Sequence, residues 1–284
     1  MAKRKRGGGP SGRDLIDKSP HVRSAPPPPK KQKTETTAAP SRKPEPIIPF
    51  QAEDKILLVG EGDFSFSKSI VEEHGCCDVT ATCLDSKQRL FEKYDPQGED
   101  HVNYLEDEGQ TVLYAVDATK LDSNRSLKMA KGPGFDVVVF NFPHVGGKST
   151  DVNRQVRFNQ ELLVSFFKSA SALLSPSGTI VVTLFEGEPY TLWNIRDLAR
   201  HSGLEVQRSF KFSADAYPGY RHARTLGNVE GGGGWKGEER EARSYVFKVK
   251  GVEGRKERLK AMAKADERGK KKRVESSESE GEDD

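Results

Sequence analysis

The sequence predicts an α/β protein built on a doubly wound sheet, and three observations support that prediction. Short runs rich in β-branched and apolar residues alternate along the chain with longer amphipathic segments, as strands alternate with helices in such sheets. Residues 135–140 are almost continuously apolar, which is typical of a strand buried on both faces of a parallel sheet. The first run ends in Gly60-Glu-Gly62, a tight turn of the kind that joins a strand to a helix.

The first half of the chain predicts three strands. Residues 55–59 are an apolar run before the glycine turn, and residues 66–73 predict a short helix after it. The β-branched run at 78–84 predicts the second strand. Helices are predicted at 86–93 and 100–108, with a Pro- and Gly-containing break between them, and the third strand is predicted at 111–116.

The second half predicts four strands and two longer helices. The fourth strand is the apolar run at 135–140. Residues 151–174 carry apolar and aromatic side chains at helical spacing, which predicts a long helix whose aromatics belong to the core. A Pro-Ser-Gly break precedes the fifth strand at 179–185, and a helix follows at 193–201. Residues 204–212 and 244–250 predict a final, antiparallel pair of strands.

We expect three regions: a disordered, basic, Pro-rich arm at 1–49, one folded domain at 50–250, and a charged tail at 251–284. The arm carries 12 Lys and Arg against 4 Asp and Glu. The tail carries 10 residues of each sign, as a predicted basic helix followed by an acidic end. Because the domain itself is mildly acidic, with 24 basic and 29 acidic residues, we expect partners to contact the arms or a local patch.

Targeting and metal signals are sparse. The basic clusters at 3–6 and 270–273 match nuclear-import or nucleic-acid-contacting segments, although solvated tails have the same composition. No apolar stretch approaches the roughly 20 residues of a membrane span, and no signal-peptide core follows the basic start, so we expect a soluble intracellular protein. Cys76, Cys77 and Cys83 have neither metal-ligand nor disulfide spacing, so no metal is expected.

The glycine turn favours a cationic cofactor. A dinucleotide fingerprint presents bare N–H groups to a pyrophosphate and has a third glycine, whereas here Ser65 stands at that position. Glu61 and Asp63 place negative charge where a pyrophosphate needs the opposite. S-adenosylmethionine carries an ammonium and a sulfonium and no phosphate, so it fits better. A tight turn with no ligand is the alternative.

Two further carboxylates follow predicted strands. Asp85 lies 23 residues beyond Gly62, close to the spacing at which an acid binds ribose hydroxyls, although it is also placed to cap a helix. Asp117 follows the third strand, where a carboxylate can reach an adenine amino group or simply open a turn. Asn141 to His144 close the fourth strand. Since ligands bind at the carboxyl ends of parallel strands, all these groups are expected at one edge of the sheet.

Five separated motifs resemble a known family: residues 59–67 (Val-Gly-Glu-Gly-Asp-Phe-Ser-Phe-Ser), 116–119 (Val-Asp-Ala-Thr), 141–148 (Asn-Phe-Pro-His-Val-Gly-Gly-Lys), 187–190 (Gly-Glu-Pro-Tyr) and 217–222 (Tyr-Pro-Gly-Tyr-Arg-His). Together they are similar to the Rossmann-like methyltransferase family whose characterised fungal members methylate N3 of a uridine in large-subunit ribosomal RNA. The resemblance spans residues 55–250. A Gly-rich insert at 229–237 departs from the family, so the resemblance does not define the rim of the site.

The resemblance implies a class I, seven-stranded, Rossmann-like methyltransferase fold with disordered tails. It also implies S-adenosylmethionine as cofactor and ribosomal RNA or the pre-ribosome as partner, in the nucleus and nucleolus. With the charge of the turn, it gives these expected cofactor-binding residues: Gly60, Glu61, Gly62, Asp63, Phe64, Ser65, Asp85, Asp117, Ala118 and Asn141.

The implied chemistry assigns roles to the residues after the fourth strand. Uracil N3 must lose its proton before or during attack, which calls for a general base or for groups that stabilise the imide anion. His144 is the candidate base, and Asn141 the residue that holds the flipped uracil. The expected RNA-contacting residues are Phe142, Lys148, Tyr217, Tyr220, Arg221 and His222.

Several alternatives stay open. His144 can be purely structural, and the loop at 217–224 can be a β-turn whose tyrosines pack inward. A nicotinamide oxidoreductase shares the predicted sheet and the acid after the second strand. A ribosome-assembly protein that has lost catalysis, or a methyltransferase of another RNA such as tRNA, would retain the same motifs.

Overall fold

The computed structural model describes residues 45–147, 150–224, 227–228 and 237–251. Its strands are β1 (Lys55–Val59), β2 (Asp78–Thr82), β3 (Thr111–Leu113), β4 (Phe135–Asn141), β5 (Leu174–Phe185), β6 (Leu204–Phe212) and β7 (Ala242–Val249). Its α-helices are α1 (Ser65–Glu72), α2 (Lys87–Lys93), α3 (Gln97–Asp107), α4 (Arg125–Ala130), α5 (Val152–Ser171) and α6 (Ile195–His201). Short 3-10 turns occupy Ala118–Ser123, Tyr190–Trp193, Ala214–Ala216 and Gly237–Glu239.

All seven described strands form one sheet in the order β3-β2-β1-β4-β5-β7-β6. The strands from β1 to β5 pair in parallel, whereas β7 runs antiparallel to both β5 and β6. The chain order reverses between β1 and β4, and this switch point is where ligands bind in open sheets. The predicted doubly wound sheet with an antiparallel final pair is therefore confirmed.

Two core clusters cover the two faces of the sheet, and the alternation along β1 shows how. Ile56 and Leu58 pack with residues of α1, α2 and α3, whereas Leu57 and Val59 pack with residues of α4, α5 and α6. All four β1 side chains are at most 1% exposed. Burial of β1 on both faces explains why its sequence is a continuous apolar run.

The element bounds differ from the predicted ones where backbone geometry intervenes. β3 ends at Leu113, three residues before the predicted end, since the chain turns at Ala115 (φ +53°). β5 begins at Leu174 and runs through the Pro-Ser-Gly segment predicted to break it, with an irregular register opposite Phe135 and Val137. α5 accordingly ends at Ser171.

Two further differences concern helices. α4, which was not predicted, begins where the Asn124 side chain accepts a hydrogen bond from the Leu127 N–H. The helix predicted at 193–201 begins only at Ile195, because Asn194 adopts a left-handed conformation with φ +51°. Neither α4 nor the start of α6 shows a periodic apolar pattern in the sequence, since these helices are only one or two turns long.

The predicted arm at 1–49, apart from 45–49, and the predicted tail at 251–284, apart from Gly251, lie outside the described residues. So does most of the Gly-rich insert. Within the described part of the chain, no helix combines the length and the apolar character needed to cross a bilayer.

Candidate active site

A cavity of about 650 Å³ opens at the carboxyl ends of β1, β2 and β4. It brings together most of the predicted site residues: Gly60, Glu61, Gly62, Asp63, Ser65, Asp85, Asp117, Ala118, Asn141, Phe142, His144, Tyr220, Arg221 and His222. They come from segments up to 162 positions apart in the sequence. The cavity lies at the switch point of the sheet, where the topology predicts a ligand.

The glycine turn after β1 is shaped by close packing. Gly60 has φ +72°, and a Cβ atom on it would lie 2.5 Å from the Phe140 ring. A Cβ on Gly62 would lie 2.7 Å from the Cβ of Ala223, which belongs to the loop predicted to contact RNA. A side chain at either position would clash with its neighbour, so both residues must be glycine. The missing side chain of Gly62 allows residues 217–224 to pack against the turn.

The two carboxylates of the turn hold the start of α1. Glu61 accepts hydrogen bonds from the Ser67 hydroxyl (2.7 Å) and the Ser67 N–H (3.2 Å). Asp63 is 5% exposed and accepts one from the Ser65 N–H at 3.1 Å. Burial raises the pKa of Glu61 to about 7, although the Ser67 hydrogen bonds oppose the shift. A cation bound beside Glu61 would favour its ionised form.

Residues 217–224, which we call the strap, line the pocket and are hydrogen-bonded to the start of α1 and to the end of α2. The Ser65 hydroxyl donates to the Arg221 carbonyl (3.1 Å) and accepts from the Arg221 N–H (3.2 Å). The Tyr94 hydroxyl donates to the Arg224 carbonyl at 2.8 Å. Just beyond the strap, the Asn228 N–H donates to the Lys93 carbonyl at 2.7 Å. The strap thus forms one wall of the cavity.

Asp85 lies at the pocket in two ion pairs, with Lys93 at 2.5 Å and with Arg89 at 3.2 Å. The helix-capping alternative does not hold for it, because Ser86 caps α2 by accepting from the Arg89 N–H. Leu84, next to it in the chain, is 69% exposed and lines the same cavity. An exposed apolar side chain beside a carboxylate is suited to a nucleoside, whose base is apolar on its face and whose ribose carries hydroxyls.

Asp117 serves the turn that follows β3 and also lines the cavity. Its carboxylate accepts hydrogen bonds from the N–H (2.8 Å) and the hydroxyl (2.7 Å) of Thr119. Burial raises the pKa of Asp117, but these hydrogen bonds and nearby Lys120 outweigh that effect and hold it below its usual value. Asp117 therefore opens the turn through Oδ1, and its ionised carboxylate also lies at the cavity wall, so the two roles considered for it do not exclude each other.

The end of β4 carries an unsatisfied polar group and a strained residue. Asn141 Nδ2 is buried and has no hydrogen-bond partner among the described residues. Phe142 has φ +50°, and its ring centroid lies 4.5 Å from that of Phe185 and 4.5 Å from that of His222. A buried donor without a partner is costly, so this amide is placed to bond a ligand atom. Lys148, predicted to contact RNA, lies outside the described residues.

The hydrogen bonding of His144 bears on its predicted role as a base. Its Nδ1 atom accepts a hydrogen bond from the Gly146 N–H at 2.9 Å. A neutral imidazole that accepts at Nδ1 carries its proton on Nε2, so the free edge of the ring is a donor. Burial lowers the pKa of His144, which favours this neutral form.

The residues of the strap belong to one sequence motif but take different positions in the structure. His222 lies at the pocket with its Nδ1 atom 3.1 Å from the Tyr220 hydroxyl, and burial lowers its pKa to about 4. Tyr217 is 4% exposed and stacks on Phe212 with ring centroids 5.5 Å apart, so the inward-packing alternative holds for it. Phe64 is likewise fully buried, and neither ring reaches the cavity. Both rings are buried in the hydrophobic core instead, Phe64 beneath the glycine turn and Tyr217 beneath the strap.

Sequence reasoning missed the part of the pocket supplied by helices. The additional lining residues include Lys93, Tyr94, Thr119, Phe158, Glu161, Leu162 and Ser165. One signal was available: Glu161 and Ser165 are four residues apart, hence on one face of α5, and they interrupt an otherwise apolar stripe. In the described ranges, no group of three or more His, Cys, Asp or Glu side chains is placed to bind a metal ion.

Comparisons with known proteins agree with this geometry. A family model described as BMT5-like, rRNA (uridine-N3-)-methyltransferase BTM5-like, matches residues 57–224, from β1 to the end of the strap. The 25S rRNA (uridine(2634)-N(3))-methyltransferase of Saccharomyces cerevisiae is 32% identical over 253 residues, with 71% of this chain and 74% of that protein covered.

Two longer relatives share only part of their length with this chain. Heavy metal-associated isoprenylated plant protein 41 of Arabidopsis thaliana is 35% identical over 178 residues, which cover 62% of this chain and 34% of that protein. The ferredoxin-fold anticodon-binding domain-containing protein 1 homolog of Mus musculus is 33% identical over 179 residues, or 59% of this chain and 27% of that protein. The same domain thus occurs in proteins with other attached regions.

Proposed function

Because this chain belongs to the BMT5-like family of rRNA (uridine-N3-)-methyltransferases, we propose that it binds S-adenosylmethionine in the cavity under the strap and methylates N3 of a uridine in large-subunit ribosomal RNA. The observation that carries the proposal is the convergence of four of the five family motifs on one cavity. The acidic turn, Asp85, Asp117, the residues after β4 and the strap all line it.

The chemistry of the cavity fits S-adenosylmethionine. Glu61 and Asp63 give the turn negative charge, which suits an ammonium and a sulfonium and opposes a pyrophosphate. Asp85 is the group we assign to the ribose hydroxyls, with exposed Leu84 against the adenine face. Asp117 and Ala118 are assigned to the adenine edge. The cofactor supplies the methyl group as an electrophile, and the protein supplies placement and charge.

The residues after β4 are assigned to the uracil. N3 must lose its proton, which we assign to solvent, to become a nucleophile, and the resulting imide anion spreads charge to O2 and O4. His144 offers Nε2–H, so we assign it as a donor to one of these oxygens rather than as the base predicted from sequence. The unpartnered Asn141 Nδ2 is a second donor. Both act by lowering the energy of the anion that attacks.

The target uridine must be unpaired or flipped out of its helix, because N3 lies on the Watson–Crick edge. Phe142, whose ring lies at the cavity beside His222, is assigned to stack on the uracil. Tyr220 and exposed Arg221 of the strap are assigned to the adjoining RNA. We propose that the protein acts in the nucleolus on the pre-ribosome; the substrate class supports this, and the basic clusters of the predicted arm and tail suit both import and RNA binding.

Calorimetric titration with S-adenosylmethionine, S-adenosylhomocysteine and NAD tests the cofactor. We expect binding of the first two and none of NAD, and a loss of at least tenfold in affinity for Asp85→Ala. Asp78→Ala is the matched control, because Asp78 starts the same strand, pairs with Lys55 at 2.9 Å and lies away from the cavity. Binding of NAD alone would support an oxidoreductase, and binding of no nucleotide would support an assembly protein.

A further inference from the structure

A layer of aromatic rings leads from the uracil-binding end of the cavity to the protein surface. The Phe142 ring contacts Phe185 at a centroid distance of 4.5 Å, and Phe185 contacts Tyr190 at 5.4 Å. Phe185 is 6% exposed, so its ring forms the base of this layer rather than its surface. The layer runs along the carboxyl end of β5, beside the cavity.

Arg240 covers this layer. Its guanidinium carbon lies 4.2 Å from the Phe185 ring centroid and 5.6 Å from that of Tyr190. At 4.2 Å the guanidinium contacts the ring, and cation–π attraction holds it there. Arg240 is nevertheless an exposed residue, so the guanidinium is held against the ring without being buried.

The cations near Arg240 in the sequence are paired with carboxylates. Arg243 pairs with Glu186 at 2.5 Å, and Lys211 pairs with Glu241 at 3.0 Å. Among the residues that the structure describes, no carboxylate lies within ion-pair distance of Arg240. A guanidinium held against an aromatic ring beside a site is suited to a planar or anionic partner.

We propose that Arg240 binds the nucleotide next to the methyl-accepting uridine, stacking on its base and hydrogen-bonding its phosphate. This inference rests on the proposed function, since it places the uracil at Phe142. Two ring contacts separate Phe142 from Arg240, which leaves Arg240 beside the uracil and not on it. Unpaired RNA bases stack on arginine planes as they do on aromatic rings. The Phe185 contact fixes the guanidinium beforehand, so less side-chain entropy is lost on binding.

The test compares Arg240→Ala and Arg240→Lys with a matched control in the full chain. Arg208→Ala is that control, because exposed Arg208 also lies over a ring, Phe210 at 5.6 Å, but in the middle of β6 and away from the cavity. The probe is unmodified large-subunit ribosomal RNA. Its Kd is measured in the presence of S-adenosylhomocysteine at several salt concentrations, and KM and kcat are measured with S-adenosylmethionine.

We expect Arg240→Ala to raise the Kd and KM for RNA about tenfold, with kcat at saturating RNA and the cofactor Kd unchanged. Arg240→Lys should retain the salt dependence and recover only part of the affinity, because it keeps the charge and loses the plane. Equal RNA affinity for Arg240→Ala, Arg208→Ala and the parent protein would overturn the inference. Failure of the proposed function is distinguishable, because then the parent protein itself would methylate no uridine.

Discussion

Gly62 and Ala223 lie side by side in the wall of the pocket, so close that a Cβ atom on Gly62 would lie 2.7 Å from the Cβ of Ala223. The glycine turn and the strap can therefore pack together only because Gly62 has no side chain. Ser65, in the position of a third fingerprint glycine, bonds both main-chain groups of Arg221. These contacts make the turn and the strap one continuous wall of the cavity.

The first prediction concerns this contact. Gly62→Ala should force the strap away from the turn and weaken S-adenosylmethionine binding at least tenfold, because overpacking of this kind costs about 1–3 kcal/mol. Ala223→Gly in the same chain should restore binding by removing the opposing methyl group. Calorimetry on the two single variants and the double variant measures the coupling. Additive losses in the double variant would show that the strap does not rest on the turn as described.

The second prediction concerns pH. With a pKa of about 7, Glu61 is mostly protonated at pH 6 and mostly ionised at pH 8. If the carboxylate binds the cationic cofactor, affinity should rise with pH through 7 and be about tenfold higher at pH 8 than at pH 6. Glu61→Gln keeps a hydrogen-bond acceptor for Ser67 and has no ionisation. Its affinity should be low and flat over this range, and a parent-like pH dependence in that variant would assign the titration to another group.

The third prediction separates donor from base at position 144. Since His144 accepts from Gly146 at Nδ1, its free Nε2–H is a donor. Glutamine can donate a hydrogen bond but cannot accept a proton near neutral pH. We therefore expect His144→Ala to lower kcat about 100- to 1,000-fold, and His144→Gln to retain most of the activity.

The pH–rate profile provides the control for this assignment. A donor leaves the rise of rate with pH, caused by ionisation of uracil N3, unchanged in His144→Gln. A base would instead add an acid limb at the lowered pKa of His144, as its neutral form is lost when the pH falls. Loss of such a limb in His144→Gln, together with loss of activity, would return the base role to His144.

Much of the fold was predictable because its signals are local. The continuous apolar runs of β1 and β4 follow from burial on both faces, and the single stripe of α5 follows from burial on one. The carboxyl-edge residues followed in turn, since parallel strands bring their ends together. The bounds of β3 and β5 were wrong because left-handed Ala115 and an irregular register leave no mark in composition.

The candidate site was less predictable where its contacts are long-range. Nothing in the sequence places Ser65 beside Arg221, 156 positions away, or Tyr94 beside Arg224. Tyr217 and Tyr220 look equivalent in the motif, yet one packs on Phe212 and the other lines the cavity. Arg240 lies outside every motif, and only the fold brings it over Phe185.

The most direct test of the account is the identity of the methylated nucleoside. The purified protein is incubated with methyl-labelled S-adenosylmethionine and unmodified large-subunit ribosomal RNA, which is then digested to nucleosides, with Asp85→Ala and Asp78→Ala in parallel. We expect label in N3-methyluridine with the parent protein and with Asp78→Ala, and strongly reduced label with Asp85→Ala when the S-adenosylmethionine concentration is below its Kd for the parent protein. Label in another nucleoside, or no label from a protein that binds the cofactor tightly, would contradict the uridine-N3 assignment.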